Sequence, residues 1–196
     1  MKAPAKLAAL LLERLNIQGK PDLHEITSAI GLRVKEAESS GFEGALVRGR
    51  NVQKGVIVVR STIPEYTRKR FTIAHEIGHY IIPDHQNLNN VCANEEVESW
   101  ASGLHPAEIE ANEFAAELLL PERLMRGALD LGDPSLKRIA EVAGKFETSL
   151  TATLHRFLDL TDLPCAMVWS KRSRSRWYHR SEAFPFYIPL KELPHG

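Results

Sequence analysis

Arg70-Phe71-Thr72-Ile73-Ala74-His75-Glu76-Ile77-Gly78-His79-Tyr80 is the stretch on which the reading of this chain turns. Phe71, Ala74, Ile77, Gly78 and Ile81 recur with a helical period, and Pro83 stops the pattern just beyond Ile82. Upstream, Thr62-x-x-Glu65 has the form of a capping box with Pro64 tolerated in the first turn, so a helix is expected from there to about Ile82. On a helix, positions i and i+4 share a face, so His75 and His79 can both reach one metal ion. Glu76, one residue on, is angled toward a water at that ion rather than toward the ion itself. Zinc lowers the pKa of a water it holds toward about 7, and a carboxylate can take the proton. The plain alternative is two surface histidines beside a solvated glutamate.

Two histidines do not complete a catalytic site, which needs three protein ligands and an open position. Pro106 opens another helical pattern that ends before Pro121. On it Glu108, Asn112 and Ala115 form one continuous face. Glu108 can bind a metal there, while Asn112 hydrogen-bonds and orients a ligand histidine. Ala115 and Ala116 are small enough for close approach to the first helix. Glu110, Glu113 and Glu117 fall on other faces and are expected in solvent, with Glu110 the main rival to Glu108.

Outward from these two helices the chain reads as one domain with an appendage. It has 196 residues, 43% hydrophobic and 26% charged, with 25 basic against 25 acidic side chains. A zero net charge gives no global field toward nucleic acid or membrane. Residues 3–16 suggest a helix with Leu7, Leu10, Leu11 and Leu15 on one side. Pro21 opens a second, carrying Leu23, Ile26 and Ile30 and ending near Gly31. Gly44–Arg48 and Gly55–Val59 read as strands, the second so rich in β-branched residues that burial on both faces is expected. Asn87–His105 is polar and acidic, hence a loop. Leu136–Leu160 holds two helical patterns around Gly144–Thr148, and Cys165–Trp169, Trp177–Tyr178 and Phe184–Ile188 read as short strands. The domain division drawn from this pattern is 1–131 and 132–196.

No segment approaches the roughly 20 apolar residues of a membrane span. The short leucine run at the N-terminus is broken at once by Glu13 and Arg14, unlike a signal peptide. Cys92 and Cys165 lack metal spacing and are expected as free thiols, which fits a cytoplasmic location.

The stretch from Arg70 to Tyr80, taken with Glu108-Ile-Glu-Ala-Asn112-Glu-Phe-Ala-Ala-Glu-Leu-Leu-Leu-Pro121, resembles the ImmA/IrrE family of metallopeptidases. A weaker likeness takes in the Phe42-Glu-Gly-Ala-Leu-Val segment and the region from Phe146 to Phe157. Leu120 stands where methionine is usual before the proline, which touches nothing catalytic. The resemblance implies an α+β fold: a zincin-like domain of a small sheet plus an active-site helix, followed by C-terminal helices and a short β segment. It implies Zn2+ (with Mn2+ able to take the same donors) held by His75, His79 and Glu108, with Glu76 catalytic. It also implies an endopeptidase that cleaves a helix-turn-helix transcriptional repressor encoded nearby, in transcription regulation or a stress response. No helix-turn-helix module precedes the peptidase motifs, so the repressor is expected as a separate chain.

His85 could donate to an oxyanion, or be an ordinary loop residue; Tyr80 could do the same, though its isoleucine neighbours favour packing. The pair of helices across Leu136–Phe157 looks like a helix-turn-helix, but its second helix opens on Ser149-Leu-Thr-Ala-Thr without basic residues, so direct DNA binding is not expected. Lys171-Arg-Ser-Arg-Ser-Arg176 could grip phosphates, yet six residues between two strands fit a solvated hairpin tip better. His24, His105, His155, His179 and His195 have no partner at ligand spacing. The competing functional reading is a regulatory binding module that keeps the metal site and acts by protein or DNA contact; an intact Glu76 favours hydrolysis.

Overall fold

The computed structural model describes residues 2–48, 54–85, 91–92, 105–129, 135–172 and 174–189. The chain divides into two compact units, Met1–Pro121 with Lys145–Thr148, and Glu122–Gly144 with Ser149–Gly196. Relative to the division at 131 drawn from the sequence, the helix after Pro121 groups with the second unit.

The first unit opens with α1 (Ala3–Arg14) and α2 (Leu23–Ala29). α2 is started by Asp22, whose carboxylate accepts from the backbone N–H of His24 at 2.7 Å and of Glu25 at 3.2 Å. Those two hydrogen bonds also lower the Asp22 pKa. The buried side of α1 differs from the expected leucine stripe. Ala5, Ala8, Leu11 and Leu12 are buried whereas Leu10 is 58% exposed. α1 packs against α4 (Pro106–Leu119), where alanines let two helices come close, and this outweighs the bulkier leucine face.

Among the described residues four strands form one sheet in the order β1-β3-β2-β4, comprising β1 (Leu32–Ala37), β2 (Gly44–Arg48), β3 (Gly55–Arg60) and β4 (Val91–Cys92). β3 runs parallel to β1 and antiparallel to β2, and β4 pairs antiparallel to β2. β3 is central, as its β-branched run suggests, but only one face is fully buried, through Ile57 and Val59; Val56 and Val58 on the other are half-buried. β1 is an addition to the sequence reading. Its signal was the alternation Leu32-Arg-Val34-Lys, weak because a strand at the sheet edge needs only one apolar face. Apart from β4 and His105, the acidic stretch read as a loop lies outside the described residues.

α3 (Tyr66–Ile81) and α4 (Pro106–Leu119) complete the unit. α3 begins a turn later than the capping box implied, with Glu65 as its N-cap and no side-chain capping bond. A box at Thr62 would place Ile63 in helical geometry directly before Pro64, where the proline ring disfavours it. The C-terminal boundary is as expected, with Ile82 extended and Pro83 following.

The second unit contains α5 (Glu122–Leu129), α6 (Leu136–Phe146), α7 (Leu150–Leu160), β5 (Ala166–Lys171) and β6 (Arg174–Arg180). Ser149 caps α7 through its hydroxyl, accepting from Ala152 N–H at 3.1 Å. Ile139, Phe157 and Leu158 form a core on which Leu154, Cys165 and Met167 pack. β5 and β6 make an antiparallel hairpin in which Trp169 faces Trp177, and Trp177 stacks on His155 at 5.3 Å between ring centroids. The arginine-rich run is less a tip than its length suggested: Lys171 ends β5 and Arg174, Ser175 and Arg176 open β6, because the strands extend further than their apolar residues signalled. Phe184–Ile188 is not a strand. Pro185 removes a ladder donor, and Arg180 takes the carbonyls of Phe184 at 2.9 Å and Phe186 at 3.3 Å.

Candidate metal centre

α3 and α4 approach closely because Gly78 faces α4 without a side chain. A β-carbon there would sit 3.2 Å from Ala111 Cα and 3.3 Å from Phe114 Cβ. This close packing brings Glu108, one turn into α4, over the histidines of α3. Glu108 Oε2 lies 3.0 Å from His75 Nε2 and 3.3 Å from His79 Nε2, and the two Nε2 atoms are 3.1 Å apart. Among the described residues these three form a group whose ligand atoms all lie within 4.8 Å of one another.

The protonation pattern shows what such a cluster can hold. His75 Nδ1 faces Asn112 Oδ1 at 2.9 Å, an acceptor, so the ring proton sits on Nδ1 and Nε2 offers a lone pair. Two imidazole nitrogens and a carboxylate oxygen thus converge on one point. A tetrahedral ion with bonds of about 2.0–2.1 Å sets its ligands about 3.3 Å apart. The observed spacings match that, so the donor set fits a zinc-like cation.

Glu76 is fully buried on the α3 face that meets β2. Arg68, Thr72 and Glu76 follow one another at helical spacing along that face. Arg68 donates to Glu43 at 2.7 Å, and Arg60 of β3 reaches the same carboxylate at 3.0 Å. Glu43 therefore clamps the start of β2 to α3. The next residue, Gly44, leaves the space in which the Glu76 carboxylate lies. The sequence reading placed Gly44 in a strand and gave Glu43, Arg60 and Arg68 no role. Their partners are distant in sequence, and no local pattern announces them.

His85 is neither loop surface nor free to meet an oxyanion. It closes the 3-10 turn Pro83–His85, is 1% exposed, and has both ring nitrogens engaged: Nδ1 with His79 Nδ1 at 3.0 Å, Nε2 with Glu110 Oε2 at 2.9 Å. Burial lowers its pKa, against the opposing hydrogen bond that the ring donates to Glu110. Arg48, at the end of β2, donates to the carbonyls of His79 and His85 and lies over the Tyr80 ring. Tyr80 itself points its hydroxyl toward Ile30 O, 3.5 Å away, which makes it a packing residue. Glu117, expected in solvent, is 2% exposed, because α1 and α3 both pack on α4. Glu113 pairs with Lys2. Of the unassigned histidines, His105 caps α4 and His179 pairs with Asp159 at 2.7 Å.

A small mixed sheet backing a His-Glu-x-x-His helix, with a second helix delivering a carboxylate, is the zincin-like α+β design of metallopeptidases. Residues 27–158 match the IrrE N-terminal-like domain, a peptidase family, and the chain belongs to that family. It is 29% identical over 148 residues to the radiation response metalloprotease IrrE of Deinococcus radiodurans, an alignment covering 73% of this chain and 42% of that protein. The chain therefore matches about two fifths of the length of this relative. No described helix is long and apolar enough to cross a membrane.

Proposed function

We propose that this protein is a zinc-dependent endopeptidase acting on a protein substrate, with His75, His79 and Glu108 as metal ligands and Glu76 as general base. The observation that carries the proposal is the convergence of three ligand atoms beside a buried carboxylate. The name of the Deinococcus relative, a metalloprotease, points the same way. Zinc, when bound, supplies a Lewis acid for the scissile carbonyl and makes water acidic enough to deprotonate near neutral pH. Asn112 holds the His75 ring with its Nε2 toward the shared point. Glu76, held in place against Gly44, takes a proton from the attacking water and returns it to the leaving amine. Its burial keeps bulk water from competing for the carboxylate. Mn2+ fits the same donors. The substrate class, a helix-turn-helix transcriptional repressor encoded nearby, rests on the family resemblance, as does a role in transcription or stress regulation; a cytoplasmic location rests on the two cysteines read as free thiols.

The test is to incubate purified, zinc-loaded protein with repressors encoded beside its gene and to read products by mass spectrometry. Specific cleavage is expected, falling by about 10²-fold or more in Glu76→Gln while bound zinc is retained. A Glu76→Gln variant that works as well as wild type in cells would refute hydrolysis and leave a binding module.

A further inference from the structure

His79 lies at the end of a chain of three side chains. Glu110 Oε2 is 2.9 Å from His85 Nε2, and His85 Nδ1 is 3.0 Å from His79 Nδ1. Each of these contacts accommodates one proton. An ionised Glu110 can only accept, so the His85 proton lies on Nε2 and its Nδ1 carries a lone pair. That lone pair accepts from His79, whose proton must then sit on Nδ1. His79 Nε2 is left with a lone pair facing His75 Nε2 and Glu108.

We infer that His85 and Glu110 are positioning residues that fix the tautomer and ring orientation of His79, the counterpart for this histidine of what Asn112 does for His75. The inference rests on the metal-site reading proposed above. Its distinctive feature is that the carboxylate acts through an interposed imidazole rather than on the ligand directly. The arrangement is braced from outside: Arg48 ties the carbonyls of His79 and His85 together, so the turn after α3 cannot swing away from the helix end without losing one of these bonds. His79 and His85 are each 1% exposed, so water does not readily replace a lost partner. Glu110 is 45% exposed, and solvent can substitute for part of its role. The two residues therefore carry unequal weight, His85 the greater.

The experiment measures zinc affinity of the full chain by competition with a chelator. His85→Phe keeps ring volume but has no acceptor, and should weaken zinc binding by about 10- to 100-fold. His85→Asn returns an oxygen near the Nδ1 position and should recover most of that loss, a rescue that a purely space-filling role would not give. Glu110→Ala should cost a few-fold in the wild-type background and nothing further in His85→Phe or His85→Asn, because the carboxylate acts through the imidazole. Wild-type affinity in His85→Phe would overturn the inference, as would an undiminished effect of Glu110→Ala in either background. If His85→Phe does not fold, the Glu110→Ala comparison between wild type and His85→Asn decides. His75→Ala, which leaves the pair untouched, separates the two levels: loss of zinc there with no effect at His85 sinks only this inference, whereas zinc retained in His75→Ala sinks the metal-site reading itself.

Discussion

A β-carbon added to Gly44 would lie 2.6 Å from Oε1 of Glu76 and 2.5 Å from Cγ2 of Thr72. The strand and the carboxylate thus share a space that only glycine leaves open. Gly44→Ala should push the Glu76 carboxylate aside while leaving His75, His79 and Glu108 in place. Zinc affinity should stay near wild type and kcat should fall by about 10²-fold, the scale expected for a misplacement near 1 Å. Equal kcat in the two proteins, measured on one cleaved substrate, would show that Glu76 is not positioned by this strand.

Gly78 plays a similar part between the two helices. A side chain there meets the backbone of Ala111, which cannot rotate away as a side chain can. Gly78→Val should lower the stability of the first unit by about 1–3 kcal/mol through overpacking. Because the same contact sets the distance from Glu108 to the histidines, zinc affinity should drop as well. Chemical denaturation of the metal-free protein and chelator competition measure the two effects separately.

Glu108 and Asn112 stand one turn apart on α4 and touch the site differently. Glu108→Gln removes a charged donor and should abolish hydrolysis along with most zinc binding. Asn112→Ala leaves all three donors and should weaken zinc binding by about 10- to 100-fold. Glu110, expected from the sequence to lie in solvent, is instead bonded to His85, so Glu110→Ala belongs between wild type and Asn112→Ala. Asn112→Ala binding zinc more weakly than Glu108→Gln would contradict the assignment.

In the second unit, burial, helped by the neighbouring His179, lowers the pKa of His155 from 6.5 to about 4. An unfolded chain gains this proton near pH 6.5, the folded chain only near 4. Between those values the unfolded state binds more protons, so stability falls as pH is lowered through that window and the contribution is fully present above it. The thermal midpoint of the second unit should decline with acid across this range, and His155→Gln should show a shallower slope. Parallel slopes in the two proteins would remove His155 from the account.

Local pattern by itself singled out the side chains proposed as ligands and base, and placed Glu108 ahead of its rival Glu110. His75, Glu76 and His79 sit on one helix, where the spacing of residues fixes which side chains share a face, and Glu108 with Asn112 repeats that logic on α4. It also announced most of the helices and the strands β2 and β3, because helical period, β-branched runs and proline stops are properties of neighbouring residues. Boundaries were less secure: the restriction that Pro64 places on Ile63 moved the start of α3 by a turn. Tertiary structure decided everything that depends on residues far apart in the chain. It selected the alanine side of α1, buried Glu117, recruited Glu43 to clamp β2 to α3, and placed Gly44 against Glu76. It also turned His85 and Glu110, read separately as a loop residue and a solvated acid, into one hydrogen-bonded chain behind His79. A hydrogen bond or a close approach needs two partners in a common place, and only the packing of α3, α4 and the sheet supplies that place.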